Sequence, residues 1–304
     1  MKYTLLAIAA VLVIVLGGAS TTNAAIQLPA NPYYVALGDS IAAGAGLPLV
    51  GNASAEDSIC SRSSSAYPYQ VAAYLGSNVN LLACSGAKID EGIYGPQERA
   101  GSTLTAQLDQ AFSAGTPDLI TVTVGANDAR WLEFMAKCYI ATCGSRFDRA
   151  AAKVLRADLR IELSAMLYKV KSMSAGTTTP KVLIGGYYAP IATTECTGQS
   201  RITSAELSWI RSQTNSLNQA LRSVTPYFSN ATYVPVDFTG HELCSTDPWV
   251  QGLTDTVPLH PTASGQAAMA QSFVDVLSSP KTTQSHNRSF EGSKLRELSQ
   301  RFLK

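Results

Sequence analysis

Ser40 closes the stretch Val35-Ala36-Leu37-Gly38-Asp39-Ser40, an apolar run that ends in glycine. A glycine directly after a buried strand permits a tight turn, and ligands gather at the carboxyl ends of strands in open parallel sheets. A serine there can expose its Oγ near a helix N-terminus. By itself the tripeptide reads equally as a helix cap. Two further apolar runs lead into Ala83-Cys84-Ser85-Gly86-Ala87 and Val124-Gly125-Ala126-Asn127-Asp128. Acyl transfer needs donors aimed at the oxygen that becomes negative in the tetrahedral intermediate. The Gly86 N–H and the Asn127 side-chain amide suit that task, although each taken singly reads as turn chemistry. Serine is a weak nucleophile until a base takes its proton, and a neutral imidazole is the usual base. His260, in Pro258-Leu259-His260-Pro261, is one of three histidines; His286 lies in the tail, and His241 is the competing base.

These residues need a scaffold that brings strand ends together. Short apolar runs at residues 33–37, 79–83, 119–124, 181–185 and 232–236 read as strands buried on both faces. Between them, helical patterns cover residues 67–75, 104–114, 149–174, 204–224 and 263–277. The long third stretch carries Leu155, Leu159, Leu163, Met166 and Val170 on one face. Such strand–helix alternation predicts an α/β fold, a parallel sheet covered on both sides. One domain is expected over residues 28–279, followed by a polar and charged tail at 280–304.

Residues 1–25 have a positive start, an apolar run at 5–16 and a small-residue ending near Ala24. That is the layout of a secretory signal peptide, and the apolar run is shorter than the roughly twenty residues a membrane-spanning helix needs. Export without stable membrane insertion is therefore expected. Six cysteines fit an oxidising compartment. Fifteen pairings are formally open; proximity along the chain favours Cys60–Cys84, Cys138–Cys143 and Cys196–Cys244. No pair has C-x-x-C spacing, so no metal is expected. The chain is 46% hydrophobic and 15% charged with a formal net charge of +1, which gives no footprint for nucleic acid.

Taken in order, the four stretches resemble the sequence blocks of SGNH (GDSL-type) hydrolases over about residues 33 to 275. Gly38-Asp39-Ser40, Ser85-Gly86, Gly125-Ala126-Asn127-Asp128 and His260-Pro261 match the Ser, Gly, Asn and His blocks respectively. With its cysteines the chain looks most like the secreted bacterial lipase, phospholipase and esterase branch. The resemblance implies a three-layer α/β/α sandwich with a central five-stranded parallel sheet. It implies Ser40 as nucleophile, His260 as base, and an oxyanion hole from the Ser40 N–H, the Gly86 N–H and Asn127. It implies no cofactor, and a small-molecule or lipid ester as substrate. Many members carry an aspartate three residues before the histidine; here that position is Val257, and Asp255 is the nearest acid. Some secreted members orient the imidazole with a backbone carbonyl, and Val257 or Pro258 is expected to do so here. Asp39 and Asp128 are read as holding the site loops, and Trp131 as lining an acyl pocket or packing beneath the loop. A monomer is expected. A polysaccharide O-deacetylase, and a catalytically silent carbohydrate-binding or adhesion protein, are the competing readings.

Overall fold

The computed structural model describes residues 26–192 and 202–279, together with position 297. In chain order the elements are β1 (Tyr34–Gly38), α1 (Ser40–Ala43), α2 (Ala55–Cys60), α3 (Tyr67–Leu75), β2 (Val79–Leu81) and β3 (Gln97–Arg99). Next come β4 (Ser102–Leu104), α4 (Gln107–Phe112), β5 (Leu119–Thr123), α5 (Trp131–Ile140) and α6 (Arg146–Met173). β6 (Lys181–Gly185), α7 (Ser204–Val224), β7 (Ala231–Val234) and α8 (Ala263–Ser278) complete the set.

All five expected strands form one parallel sheet in the order β2-β1-β5-β6-β7. Every residue of β1 and β5 is buried. A strand covered on both faces has no solvent side, which is why these two read as continuous apolar runs rather than alternating ones. α3 packs on α8, while α6 packs on α7 and α7 on α5, so two helix groups flank the sheet. On α6 the residues Leu159, Leu163, Met166 and Val170 are buried and Leu155 is half-buried. Each buried aliphatic side chain contributes about 1.5–3 kcal/mol relative to exposure.

Local capping explains where the elements depart from the expected bounds. α6 starts three residues early because Ser145 and Asp148 form a reciprocal capping box. α4 starts late because Ser102–Leu104 pairs antiparallel with Gln97–Arg99, so Leu104, expected to open the helix, lies in a strand. Two helices escaped the sequence reading. α2 is capped by Ser54 with Asp57, a Ser-x-x-Asp signal hidden in a polar stretch. α5 buries Trp131, Phe134, Met135 and Cys138, an i, i+3, i+4, i+7 pattern.

Disulfides join Cys60 to Cys84 and Cys138 to Cys143. The first ties the end of α2 to the loop after β2. Cys244 is also disulfide-bonded; Cys196, its expected partner, lies outside the described residues. So do residues 1–25, read as a signal peptide, and the tail from 280 apart from position 297. Among the described residues no helix is long and apolar enough to cross a membrane.

Candidate active site

β1 and β5 deliver the first two parts of the site side by side. At Gly38 the backbone has φ +143°, and an added Cβ would lie 2.3 Å from the Thr123 carbonyl oxygen. Only glycine lets the two strand ends approach so closely. The next residue, Asp39, caps α1: its Oδ1 accepts the Ile41 N–H at 2.9 Å. Ser40 is thereby the first residue of a helix, and its own N–H meets no acceptor among the described residues.

His260 reaches Ser40 from the loop before α8. Its Nε2 stands 2.7 Å from Ser40 Oγ, across 220 positions of chain. On the other side of the ring, Nδ1 lies 3.1 Å from the Pro258 carbonyl oxygen. A carbonyl can only accept, so Nδ1 carries the hydrogen and the Nε2 lone pair faces the serine. Of the two carbonyls expected to orient the ring, Pro258 takes that position; Val257 instead accepts the backbone N–H of His260 at 3.4 Å. The Asp255 carboxylate is turned to the Gly252 N–H at 2.6 Å. Burial holds the imidazole below its ordinary value of 6.5, against the smaller opposing effect of the Pro258 bond. The ring is therefore neutral at pH 7. His241 is engaged elsewhere, stacked on Trp249 with ring centroids 3.6 Å apart. His286 lies outside the described residues.

Gly86 has φ +82°, and an added Cβ would come within 3.1 Å of the Arg99 guanidinium. Its N–H is likewise without an acceptor among the described residues. Asn127 donates one Nδ2 hydrogen to the Ala87 carbonyl at 2.9 Å, which fixes the amide and leaves its second N–H available. The Gly86 and Asn127 loops are thus joined by a direct bond.

The two aspartates do hold loops. Besides capping α1, Asp39 accepts a hydrogen bond from Tyr187 Oη at 2.6 Å, and Tyr187 in turn accepts the Ala126 N–H at 3.1 Å. Burial pushes Asp39 up to about 7, although both hydrogen bonds pull the other way. Asp128 accepts the Ile89 N–H at 2.9 Å. Trp131 packs beneath the loop: it is 2% exposed, donates to Thr214 Oγ1 at 2.9 Å and meets the Tyr188 ring edge-on.

Several positioning residues carry no motif. Gln107 clamps Gly38 from both sides, accepting its N–H at 2.8 Å and donating to its carbonyl at 3.0 Å. Tyr188 donates to the Leu259 carbonyl at 2.7 Å, next to the histidine. Gln266 on α8 donates to the Ile41 carbonyl at 2.9 Å. Tyr187 alone had a readable signal, since it follows Gly185-Gly186 at another strand's carboxyl end.

Residues 36–268 match the profile of the GDSL-like Lipase/Acylhydrolase family. The chain is 31% identical over 271 residues to a lipase of Streptomyces rimosus, covering 86% of this chain and 91% of the relative. It is 33% identical over 261 residues to Lipase 1 of Streptomyces coelicolor, covering 82% and 90%. Among solved structures, the extracellular lipase of Streptomyces rimosus superposes with a TM-score of 0.58 at 26% identity, over 82% of this chain and all of that one. Phospholipase A1 of Streptomyces albidoflavus shares the fold, with a TM-score of 0.57 at 24% identity over 83% of this chain and all of that one.

Proposed function

This chain belongs to the GDSL-like lipase/acylhydrolase family, and from that premise we propose that Ser40 and His260 perform its hydrolysis of carboxylic esters as a dyad. The observation that carries this reading is the relay Ser40 Oγ–His260 Nε2 at 2.7 Å with Nδ1 held by the Pro258 carbonyl at 3.1 Å. His260 takes the hydroxyl proton as Ser40 Oγ attacks the ester carbonyl carbon. The oxygen that becomes negative is received by the N–H groups of Ser40 and Gly86 and by the free N–H of Asn127. His260 then passes its proton to the departing alcohol oxygen, and the acyl group stays on Ser40. Water, deprotonated by His260, attacks that ester; the acid leaves and the proton returns to Ser40. The carbonyl of Pro258 fixes the tautomer, though it stabilises imidazolium less than a carboxylate does.

We read the substrate as a lipid acyl ester and the mature protein as secreted, a hydrolase domain over residues 28–279 freed of its first 25 residues. Two disulfides and the likeness to an extracellular lipase support export. Hydrolysis of p-nitrophenyl acetate, butyrate and palmitate by the mature protein, beside Ser40→Ala, tests both parts. Turnover that disappears in the variant and extends to palmitate is the expected result. Turnover confined to acetate would replace the lipid reading with a deacetylase, and turnover surviving in Ser40→Ala would remove the nucleophile.

A further inference from the structure

Seven large apolar side chains are exposed among the described residues, and four of them fall at the end of α5 and the start of α6: Tyr139, Ile140, Phe147 and Val154. Ile140 is 80% exposed and Phe147 71%. The Cys138–Cys143 disulfide braces the turn between the two helices. On α6, Phe147 and Val154 stand seven residues apart and share one helix face, with exposed Ala150 and Ala151 between them. Apolar surface gathered in this way marks an interaction site.

The neighbouring stripe of α6 is cationic. Arg146, Arg149 and Lys153 recur at i, i+3 and i+7; all are exposed, and among the described residues none forms an ion pair. Arg146 lies over the Phe147 ring at 4.8 Å, and Arg149 donates to the Gly144 carbonyl at 2.9 Å. The acids of this region are engaged by other cations, Asp148 by Lys137 at 2.6 Å and Glu133 by Arg130. Residues 130–156 hold six Lys or Arg and two acids, a surplus of four positive charges in a chain whose net charge is +1.

α6 carries this surface to the site's end of the molecule. Thr177, beyond its last turn, meets Thr116, just before β5, at 3.0 Å, so α6 runs antiparallel to that strand. At the other end of β5, Gly125 lies against Leu159: an added Cβ would stand 3.0 Å from the leucine Cδ1. The helix from Arg146 to Leu159 therefore extends about 20 Å past the level of Gly125. That overhang projects beyond the carboxyl ends of the strands, the end at which Ser40, Gly86, Asn127 and His260 stand.

We propose that the apolar and cationic stripes at the α5–α6 turn dock the enzyme, peripherally and reversibly, on an anionic phospholipid surface. The cations select this occupant. An apolar face flanked by unpaired Lys and Arg matches acyl chains lying beneath negative headgroups. The stems of Arg146, Arg149 and Lys153 can lie along the apolar stripe while their charged ends reach phosphate. A second copy fits less well, because a two-fold contact sets the same surface against itself and brings like charges together. The inference rests on reading the substrate as a lipid ester, since a small water-soluble ester needs no such surface.

The test uses the full mature chain carrying Ser40→Ala, so that lipid is bound without being consumed, and measures cosedimentation with large vesicles. Binding is expected to vesicles of phosphatidylglycerol and phosphatidylcholine in equal parts. Phosphatidylcholine alone should bind at least about tenfold more weakly, and about 0.5 M salt should release the protein. Ile140→Ser with Phe147→Ser, and separately Arg149→Gln with Lys153→Gln, should each weaken binding at least about tenfold. With Ser40 intact, both pairs should leave kcat/KM for soluble p-nitrophenyl butyrate within about twofold of the parent, which shows that the fold and the site survive. No binding to either vesicle, or binding unchanged in both pairs, would overturn the docking surface while leaving the ester chemistry untouched. A dimer in sedimentation velocity that the same pairs dissolve would overturn it in favour of a second copy. Binding as expected by an enzyme that turns over acetate alone would retire the lipid substrate and keep the docking surface.

Discussion

The turns that leave β1 and β5 are built to one plan and finished differently. Each has a glycine with positive φ at the strand's end, Gly38 at +143° and Gly125 at +121°. Each places a functional side chain, Ser40 or Asn127, beside a buried aspartate that accepts a backbone N–H. In the β1 turn the second carboxylate oxygen is also satisfied, by Tyr187 Oη at 2.6 Å. In the β5 turn the carboxyl of Asp128 meets that of Glu162 instead. The first turn is a closed network that holds the loop of Ser40 through protein groups alone. The second holds Asn127 by one bond to Ala87 and sets its aspartate against another acid. One turn pairs its aspartate with a tyrosine hydroxyl, the other with a second carboxyl.

The strongest test of the first turn is removal of its hydroxyl. Ser40→Ala should lower kcat/KM by at least about 10⁴-fold while circular dichroism and Tm stay near the parent, because attack is lost and packing is not. Removing the donor of the second turn should cost less. Asn127→Ala is expected to reduce kcat by about 10²–10³-fold with KM nearly constant, as befits a contact made in the transition state. If both variants lost only a few-fold, neither turn would hold the chemistry assigned to it.

Tyr187→Phe breaks the bridge between the turns. It strips Asp39 of a donor and leaves the Ala126 N–H without an acceptor, at a cost of about 1–3 kcal/mol in stability. A decrease in kcat of about tenfold with unchanged KM would mark a positioning role; a fall in Tm alone would mark a merely structural one.

The pH profile examines His260 at smaller amplitude. Only the neutral ring can accept the serine proton, so kcat/KM should rise with pH and level off, with its midpoint below 6.5. The folded state binds this proton less readily than the unfolded chain does. The associated stability is therefore present above the ordinary value and declines as pH falls through it. A midpoint at or above 7 would mean a carboxylate partner that the Pro258 carbonyl does not supply. Last, Asp255→Ala should change kcat/KM by no more than about twofold, since its carboxylate caps Gly252 rather than the imidazole. Loss of turnover there would replace the dyad with a triad.

The amino-acid sequence by itself determined the layered α/β class, the five sheet strands and the four stretches in which Ser40, Gly86, Asn127 and His260 stand. Those properties are local: apolar runs closed by glycine read as buried strands, and Gly38, Gly86 and Gly125 mark turns that a Cβ would obstruct or strain. The two adjacent disulfides were legible for the same reason, as each closes a short loop. Two helices and the β3–β4 hairpin were not, because their signals lie in polar or mixed stretches that periodicity describes poorly. The choice of Pro258 over Val257 depended on the course of a loop with Leu259 at φ +63°, which no propensity dictates. The contact of Ser40 with His260, the clamp of Gln107 on Gly38 and the bridge through Tyr187 span 220, 69 and 148 positions. Hydrogen bonds over such separations exist only once the sheet order has brought strand ends together, so the tertiary structure alone decided them.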